Sequence, residues 1–351
     1  MEVAKKIDQL FISKWKEGKF SGNILVAKGG VSIYTGTFGL SDYRRNSTLT
    51  IDSLFELASV TKPMTAIGIM ILAEQSELHY DDPISKWIHD FPYPTVTLRH
   101  VLTHTSGLPD YMELFETYWD RTEIATNTDV FRLLATYKPH PYFNPEDKCE
   151  YSNTGYVCLA TVIEVVSGMS YSSFMLHHVF IPAGMHRTRV MNRRFKPETV
   201  DDFAYGFIKN TNDKDFFLPD ELPEYDYVNY LDGIQGDGMI HSTIMDLLSL
   251  DRALKEGILL SNPSLELSLS TFRTKDGQKT HCGFGWFIDH LESAGKRVSH
   301  SGGWPGYSTM LSRYPETDYT IIILTNVEYK TDDGSQERAG DLLKQIEECI
   351  F

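Results

Sequence analysis

Hydrophobic and polar positions follow two different periods along the chain, and each period predicts a different kind of element. Four large apolar side chains near the start recur at helical spacing and predict an amphipathic helix with one apolar face: Ile7, Leu10, Phe11 and Trp15. Residues 22–28 and 31–38 instead have the composition of strands, and Gly29-Gly30 between them is typical of a tight hairpin turn. The chain is therefore expected to begin with a helix followed by a β-hairpin.

A second β region is predicted near the C-terminus. Three short runs of strand composition are separated by turns that carry glycine or proline: 297–301, 307–312 and 319–325. After them, an apolar stripe of Leu342, Leu343 and Ile346 predicts a terminal helix over 336–350. Between the two β regions, helices are predicted at 61–77, 98–102, 129–136, 154–167, 171–179 and 243–256. The main loops, rich in proline, tyrosine and aspartate, are predicted at 91–97, 137–147 and 210–229.

This order of elements predicts a split α+β architecture, an α/β sandwich. The segments 1–80 and 240–351 are expected to share one antiparallel sheet flanked by the N- and C-terminal helices. A mostly helical domain, 81–239, is then inserted between them. Because pockets favour domain junctions, we expect the active site where the two parts meet.

Composition and charge exclude several classes of function. Apolar residues make up 41% and aromatic residues 12% of the 351 residues, which suits a large core and excludes disordered or collagen-like chains. The formal charge is −15 and no basic block is present, which argues against binding to nucleic acid or anionic lipid. No apolar stretch approaches the roughly 20 residues of a membrane span, and no secretory signal is visible. The sequence as written predicts a cytoplasmic protein, or a periplasmic or secreted one if a leader was removed.

The cysteines and histidines give no clear sign of a disulfide framework or a metal site. Four cysteines are too few for a disulfide scaffold and form no CxxC pair, so we expect free thiols at Cys149, Cys158, Cys282 and Cys349. His100 and His104 have the i, i+4 spacing of a zinc pair, but His100 lacks the adjoining glutamate of His-Glu-x-x-His. No metal is predicted, and without a phosphate-binding loop no cofactor is predicted either.

The first candidate for catalysis is Ser59-x-x-Lys62. Residues three apart in a helix share a face, so Lys62 can act on the Ser59 hydroxyl, which is a weak nucleophile until a base takes its proton. The same spacing recurs at Ser13 and Ser293 and is therefore weak on its own. Of the three serines, only Ser59 precedes a strongly apolar helix, 64–78, whose burial would fix the serine–lysine geometry.

The second candidate is Tyr151-x-Asn153, where a loop meets the start of a predicted helix. A neighbouring ammonium favours the phenolate form of tyrosine, so Tyr151 beside a lysine could serve as general base to the serine. The spacing recurs at Tyr142 and Tyr227, and a tyrosine of the core with a satisfied hydroxyl is the alternative.

The third candidate, His300-Ser301-Gly302-Gly303, ends a predicted strand and occurs once in the chain. Glycine lets backbone approach a substrate closely, and a backbone N–H at this position could complete an oxyanion hole. A histidine and a hydroxyl beside these glycines suit a strand edge that lines a site.

The three patterns in this order resemble the serine β-lactamase and penicillin-binding-protein superfamily. They are most similar to its class C β-lactamase-like branch, which holds D-Ala-D-Ala carboxypeptidases, D-aminopeptidases and esterases. Residues 102–110 and 236–243 also look like stretches common in that branch, so the resemblance extends from about residue 20 to the end. It implies an α/β sandwich with an inserted helical domain, in agreement with the architecture predicted above.

Carried over residue by residue, the resemblance implies that Ser59 is the acylated nucleophile and that Lys62 and Tyr151 manage its proton. It implies that four further residues contact the substrate: Asn153, His300, Ser301 and Gly303. It also implies that the backbone N–H groups of Ser59 and Gly303 form an oxyanion hole.

One position departs from the class C pattern, which carries Lys-Thr-Gly where this chain has His300-Ser-Gly. The imidazole, with an ordinary pKa of about 6.5, is mostly neutral at pH 7 and replaces a permanent cation. We therefore expect a cofactor-independent serine hydrolase that acts through an acyl-enzyme on small amides or esters, with weak turnover of β-lactams. A true β-lactamase, an acyltransferase and a β-lactam-binding protein with little turnover stay open as alternatives. The expected partner is a small molecule or a short peptide.

Overall fold

The structure is a computed structural model that describes residues 2–210, 215–330 and 337–351. Its strands, in chain order, are β1 (Gly22–Lys28), β2 (Val31–Phe38), β3 (Leu40–Asp42), β4 (Ser47–Thr48), β5 (Phe55–Glu56), β6 (Arg189–Val190), β7 (Phe207–Asn210), β8 (Ile240–Ser242), β9 (Phe287–Leu291), β10 (Gly295–Trp304), β11 (Tyr307–Tyr314), β12 (Tyr319–Thr325) and β13 (Val327–Lys330). Its helices are α1 (Glu2–Lys16), α2 (Thr61–Glu74), α3 (Leu98–Leu102), α4 (Tyr111–Tyr118), α5 (Asn127–Tyr137), α6 (Asn153–Ser167), α7 (Tyr171–Met175), α8 (Tyr227–Tyr230), α9 (Ile244–Lys255), α10 (Asn262–Ser268) and α11 (Ala339–Ile350).

One six-stranded antiparallel sheet, in the order β2-β1-β12-β11-β10-β9, joins the two ends of the chain. Strand β1 lies between β2 and β12, with Gly22 opposite Thr325. Successive side chains of a strand face opposite sides of the sheet, and the apolar residues of β12 accordingly divide between two cores. The α+β fold class and the shared antiparallel sheet are confirmed.

Helices cover both faces of this sheet. On one face α1 and α11 pack against each other and the strands, burying Ile7, Phe11 and Ile346. On the other face α9 packs against β1 and β12, in the same core that buries α2 and α6. The apolar face predicted for the first helix is wrong at Trp15, which is 47% exposed because it lies at the end of α1, beside Phe38 of the edge strand β2.

Most predicted elements are present with shifted ends. The helix predicted over 171–179 is α-helical only to Met175 and continues as a π-helical turn, Leu176–Phe180. The elements that were missed are short and lack a clear period: the helices α4, α8 and α10, the strands β3 to β9, and β13. The terminal helix, predicted over 336–350, begins at Ala339. Two parts of the predictions lie outside the described residues: residue 336 of this helix and residues 211–214 of the loop predicted over 210–229.

The middle of the chain is mostly helical and is connected to the ends through short β pairs. Strand β8 pairs with both β5 and β6, and β7 pairs in parallel with β13. The division into 1–80 with 240–351 and an inserted 81–239 stays a prediction. No single helix of the described residues is long and apolar enough to cross a membrane; α6 with residues 171–180 meets that test only as a pair bent by 81°.

Candidate active site

Ser59 lies in a 3₁₀ turn, Ala58–Val60, that leads directly into α2. Ala58 has a positive φ of 48°, which is uncommon for a residue with a side chain. Two contacts of the sheet hold this turn. The Thr309 hydroxyl of β11 donates to the Leu57 carbonyl at 2.7 Å, and Gly302 of β10 lies so close that a Cβ there would stand 2.2 Å from the same oxygen. The turn that carries Ser59 is therefore fixed against the sheet by a position that only glycine fits.

Lys62 is fully buried in the first turn of α2, on the same face as Ser59, as its spacing predicts. Its Nζ donates to Ser59 Oγ at 3.1 Å, to Asn153 Oδ1 at 2.9 Å and to the Asp237 carbonyl at 2.8 Å. These partners come from the turn before α2, the first residue of α6 and the segment before β8. One amine thus joins three parts of the chain.

The three partners of Lys62 differ in what they can do with a proton. The Asn153 and Asp237 oxygens only accept hydrogen bonds, whereas the Ser59 hydroxyl can also donate one. A neutral amine has two N–H groups for the two carbonyl oxygens and a lone pair for the serine proton. A protonated amine donates to all three oxygens. The geometry therefore suits transfer of a proton between Ser59 and Lys62 with no rearrangement of the other two contacts.

Tyr151 contacts Lys62 through its ring. The ammonium nitrogen lies 4.8 Å from the ring centroid, and the ring packs against His104 at 4.7 Å and Phe287 at 6.1 Å. The side chain is 42% exposed, and its hydroxyl makes no hydrogen bond to any residue that the structure describes. The predicted partner of Lys62 is therefore adjacent, held by stacking, with its hydroxyl available to a substrate or to solvent.

His300 is almost completely buried, and its ring centroid lies 6.0 Å from that of Tyr151. Its Nδ1 donates to the Ser301 carbonyl at 2.7 Å, so Nε2 carries the lone pair, and that atom has no partner among the described residues. Burial, reinforced by the charge of Lys62, lowers the pKa of His300 to about 3. The imidazole is neutral at pH 7, as the sequence predicts, but burial contributes more to this than its ordinary pKa does.

Ser301 and Gly303 differ from His300 in where they lie. Gly303 lines a cleft of about 370 Å³ in front of Ser59, together with Asn153. Ser301 is exposed and lines a neighbouring cleft on the α11 side of β10, which it shares with Gly303, so Ser301 does not face Ser59 across the first cleft. Tyr151 and His300 are not among the described residues that line the first cleft.

The cleft in front of Ser59 has aromatic walls and several charged groups. Its aromatic residues are Tyr111, Tyr225, Tyr227, Trp304 and Tyr307. Its ionisable residues besides tyrosine are Glu56, Asp237, Glu328 and Arg338. Burial raises the pKa of Glu56 to about 7 and also raises the pKa of Asp237, whose carboxylate accepts a hydrogen bond from the Tyr111 hydroxyl at 3.0 Å. Part of the negative charge at the cleft is therefore neutralised near pH 7.

Sequence reasoning assigned no role to Asp237, Glu56 or Arg338. Asp237 acts on Lys62 through a backbone oxygen, which has no side-chain signature. Its neighbour Gly236 carries the available signal: its φ is 108°, and a Cβ there would lie 2.4 Å from the Tyr156 carbonyl. Arg338 precedes α11 and belongs to no motif.

His100 and His104, the pair with the spacing of a zinc site, each accept a hydrogen bond from a different backbone N–H. His100 Nδ1 accepts a hydrogen bond from the Thr97 N–H at the start of α3. His104 Nδ1 accepts one from the Ser152 N–H at 3.1 Å, beside Tyr151. His104 therefore supports the loop that carries the candidate tyrosine.

Comparison with known proteins identifies the class. A family model described as Beta-lactamase matches residues 7–345, and the chain belongs to this family. The resemblance drawn from the motifs is confirmed. The chain is 45% identical to Penicillin-binding protein 4* of Bacillus subtilis (strain 168), a match that covers 99% of this chain and 76% of that protein.

Solved structures show the same fold. A penicillin-binding protein from Bacillus halodurans superposes with a TM-score of 0.80 at 26% identity, covering 97% of this chain and 98% of that one. A D-amino acid amidase from Ochrobactrum anthropi SV3 superposes with a TM-score of 0.79 at 23% identity, covering 100% and 99%. The second likeness supports the fold alone.

Proposed function

We propose that this chain is a cofactor-independent serine hydrolase that forms an acyl-enzyme at Ser59 with small amides or esters. The observation that carries the proposal is the buried amine of Lys62, 3.1 Å from Ser59 Oγ and held by two further oxygens. Membership in the Beta-lactamase family supports the hydrolase class.

In the proposed reaction, Ser59 Oγ attacks the substrate carbonyl carbon while its proton passes to Lys62. The negative charge that develops on the carbonyl oxygen is stabilised by hydrogen bonds that the backbone N–H groups of Ser59 and Gly303 donate. Collapse of this intermediate breaks the bond to the leaving group, which takes a proton from Lys62 by way of the Tyr151 hydroxyl. Water then releases the acyl group by the same steps in reverse order.

The cleft supports a small substrate with an apolar or aromatic part. Its tyrosines and Trp304 offer flat apolar surfaces, with Tyr227 and Trp304 in edge-to-face contact at 5.4 Å. The neutral imidazole of His300 provides no cation for a substrate carboxylate. We therefore expect uncharged esters and amides to be turned over better than β-lactams.

A second candidate, hydrolysis of carboxylate-bearing amides such as β-lactams, is favoured by Arg338. Arg338 belongs to the lining of the cleft, and its guanidinium could bind a carboxylate in place of the lysine that His300 replaces. A screen of p-nitrophenyl esters, D-amino-acid amides and nitrocefin separates the two candidates. Nitrocefin turnover well above that of every ester would favour the second.

The acyl-enzyme is tested by intact-mass measurement after reaction with a fluorescent phosphonate. We expect one adduct in the wild type and none in Ser59→Ala. Ser13→Ala is the matched control, because Ser13 also precedes a lysine by three residues but is exposed and donates to Glu17 at 2.9 Å. An adduct that persists in Ser59→Ala, or that disappears in Ser13→Ala, contradicts the proposal.

A further inference from the structure

Two cysteines from distant parts of the chain meet beside the site. Cys149, two residues before Tyr151, has its sulfur 2.8 Å from that of Cys282, which lies 133 residues further along the chain. Carbon atoms in van der Waals contact lie roughly 3.5–4.0 Å apart, and sulfur is the larger atom. The two sulfurs are therefore closer than a contact between independent thiols. The sequence alone predicts free thiols at both positions.

Both thiols belong to segments that hold the ring of Tyr151. On one side, the Glu150 N–H donates to the His104 carbonyl at 2.8 Å, and the His104 ring packs on Tyr151. On the other side, Cys282 pairs through its backbone with Phe287, whose ring also packs on Tyr151. A covalent link between the thiols would join the two sides.

We propose that Cys149 and Cys282 form a reversible disulfide, a redox modification site that ties the loop carrying Tyr151 to the segment carrying Phe287. The bond itself does not depend on the proposed hydrolase activity.

The two thiols have different parts in forming the bond. Cys149 is partly exposed and Cys282 is buried, so a reagent reaches Cys149 first. The hydrogen bond between the thiols lowers the pKa of Cys149 and raises that of Cys282, which makes Cys149 the attacking thiolate. With a small-molecule disulfide as oxidant, Cys149 forms a mixed disulfide and releases one thiol. Cys282 then displaces the second thiol, so that two cysteine thiols are oxidised and one reagent disulfide is reduced.

A bound metal ion is the rival occupant. Cys149, Cys282 and His281 bring their ligand atoms within 4.8 Å of one another. Tetrahedral zinc with bonds of about 2.3 Å would hold two thiolate sulfurs roughly 3.7 Å apart, further than these sulfurs lie. His281 is exposed, and no fourth ligand joins the cluster among the described residues. A disulfide bond is about 2.05 Å long, so the absence of a fourth ligand among the residues described, and not the sulfur separation, favours the disulfide.

The bond is tested by incubating the full chain with oxidised glutathione and mapping peptides without reduction. We expect a cross-linked pair containing Cys149 and Cys282, a chain mass lower by two hydrogens, and alkylation of only the other two cysteines. Cys149→Ser should abolish the cross-link. Cys349→Ser, which alters another partly exposed cysteine, should keep it. The wild-type map does not depend on any variant folding.

The effect on the site is read from hydrogen exchange and thermal unfolding. Amides of the Tyr151 loop should exchange about tenfold more slowly in the oxidised protein, and its unfolding midpoint should rise by roughly 5 °C. Alkylation of all four cysteines after oxidation, or a stable glutathione adduct on Cys149, overturns the proposal. So does one zinc ion per chain that protects both thiols until a chelator removes it. A cross-link without slower exchange refutes the positioning effect.

Discussion

At the scale of single residues, the site depends on one buried amine with three oxygen partners. Burial of an unpaired charge is costly, and the contacts of Lys62 with Asn153 and Asp237 satisfy it without a carboxylate. Because no carboxylate neutralises the amine, it can exchange a proton with Ser59. The chemistry follows from which oxygens can donate a proton and which cannot.

Lys62 and Tyr151 are expected to act as one proton-handling unit. Lys62→Met keeps the length of the buried chain, and Tyr151→Phe keeps the ring that packs on His104 and Phe287. Each change should lower kcat for an ester by about 10²–10⁴-fold, measured with thermal unfolding as a check on folding. The double variant should lose little more than the worse single variant. Losses that multiply would show that the two residues act independently.

The sequence predicts those contacts of the site that form between side chains close together in the chain. Ser59 and Lys62 are three residues apart at the start of an apolar helix, and spacing and context together predict the contact. The Asp237 carbonyl could not be predicted, because every residue has one and only the fold selects it. The environment of His300 was equally hidden: its neighbours Lys62 and Tyr151 come from other elements.

At the scale of elements, the end of β10 determines how the Ser59 turn sits on the sheet. Gly302 and Gly303 are adjacent and differ completely in the space available to a side chain. A Cβ at Gly302 would meet the Leu57 carbonyl and the Thr309 hydroxyl, each at 2.2 Å, whereas nothing lies within 4 Å of a Cβ at Gly303.

Gly302→Ala should therefore push β10 away from the Ser59 turn. Overpacking of this kind costs about 1–3 kcal/mol of unfolding free energy, and kcat should fall by about 100-fold or more because the turn shifts. A Cβ at Gly303 has open space, so the unfolding free energy of Gly303→Ala should stay within about 0.5 kcal/mol of the wild type. Chemical denaturation and ester kinetics measure both. Equal losses of unfolding free energy in the two variants would contradict the role of Gly302.

The longer elements were predictable, as were the β1–β2 hairpin and one sheet shared by both ends of the chain, but the order of the strands in that sheet was not. Gly29-Gly30 between two β-type runs indicates the β1–β2 hairpin, because both strands and the turn are local. The pairing of β1 with β12 depends on contacts across nearly the whole chain. Strand β9 was missed since its five residues, with an aspartate and a histidine among them, carry no clear alternation.

At the scale of the whole molecule, buried ionisable groups make stability depend on pH. Burial raises the pKa of Glu56 to about 7, and lowers those of His241 to about 4 and His300 to about 3. The histidines are neutral in the folded protein and gain protons on unfolding, so they destabilise the fold as pH falls below about 6.5. Glu56 acts in the opposite direction. Its contribution is full below about pH 4.5 and is lost as pH rises through 7.

Glu56→Gln should therefore stabilise the protein relative to the wild type as pH rises. We expect the difference in unfolding free energy to grow by about 2–3 kcal/mol between pH 4.5 and pH 8, measured by denaturant titration. Glu266→Gln, at an exposed glutamate of α10, is the control and should give a difference that does not change with pH. A flat difference for Glu56→Gln would mean that this carboxyl is ionised in the folded protein well below pH 7.

The central position of β1 has a consequence for synthesis. A ribosome releases β1 and β2 long before β12, so one edge of β1 waits unpaired while the residues between them are made. An unpaired strand edge is a template for aggregation. The nascent chain already carries Ser59 and Lys62 during that wait, but it lacks the glycine strand against which the serine turn is seated. The proposed activity therefore requires synthesis as far as β12, and premature termination before that strand leaves Ser59 and Lys62 on a chain that cannot close its sheet.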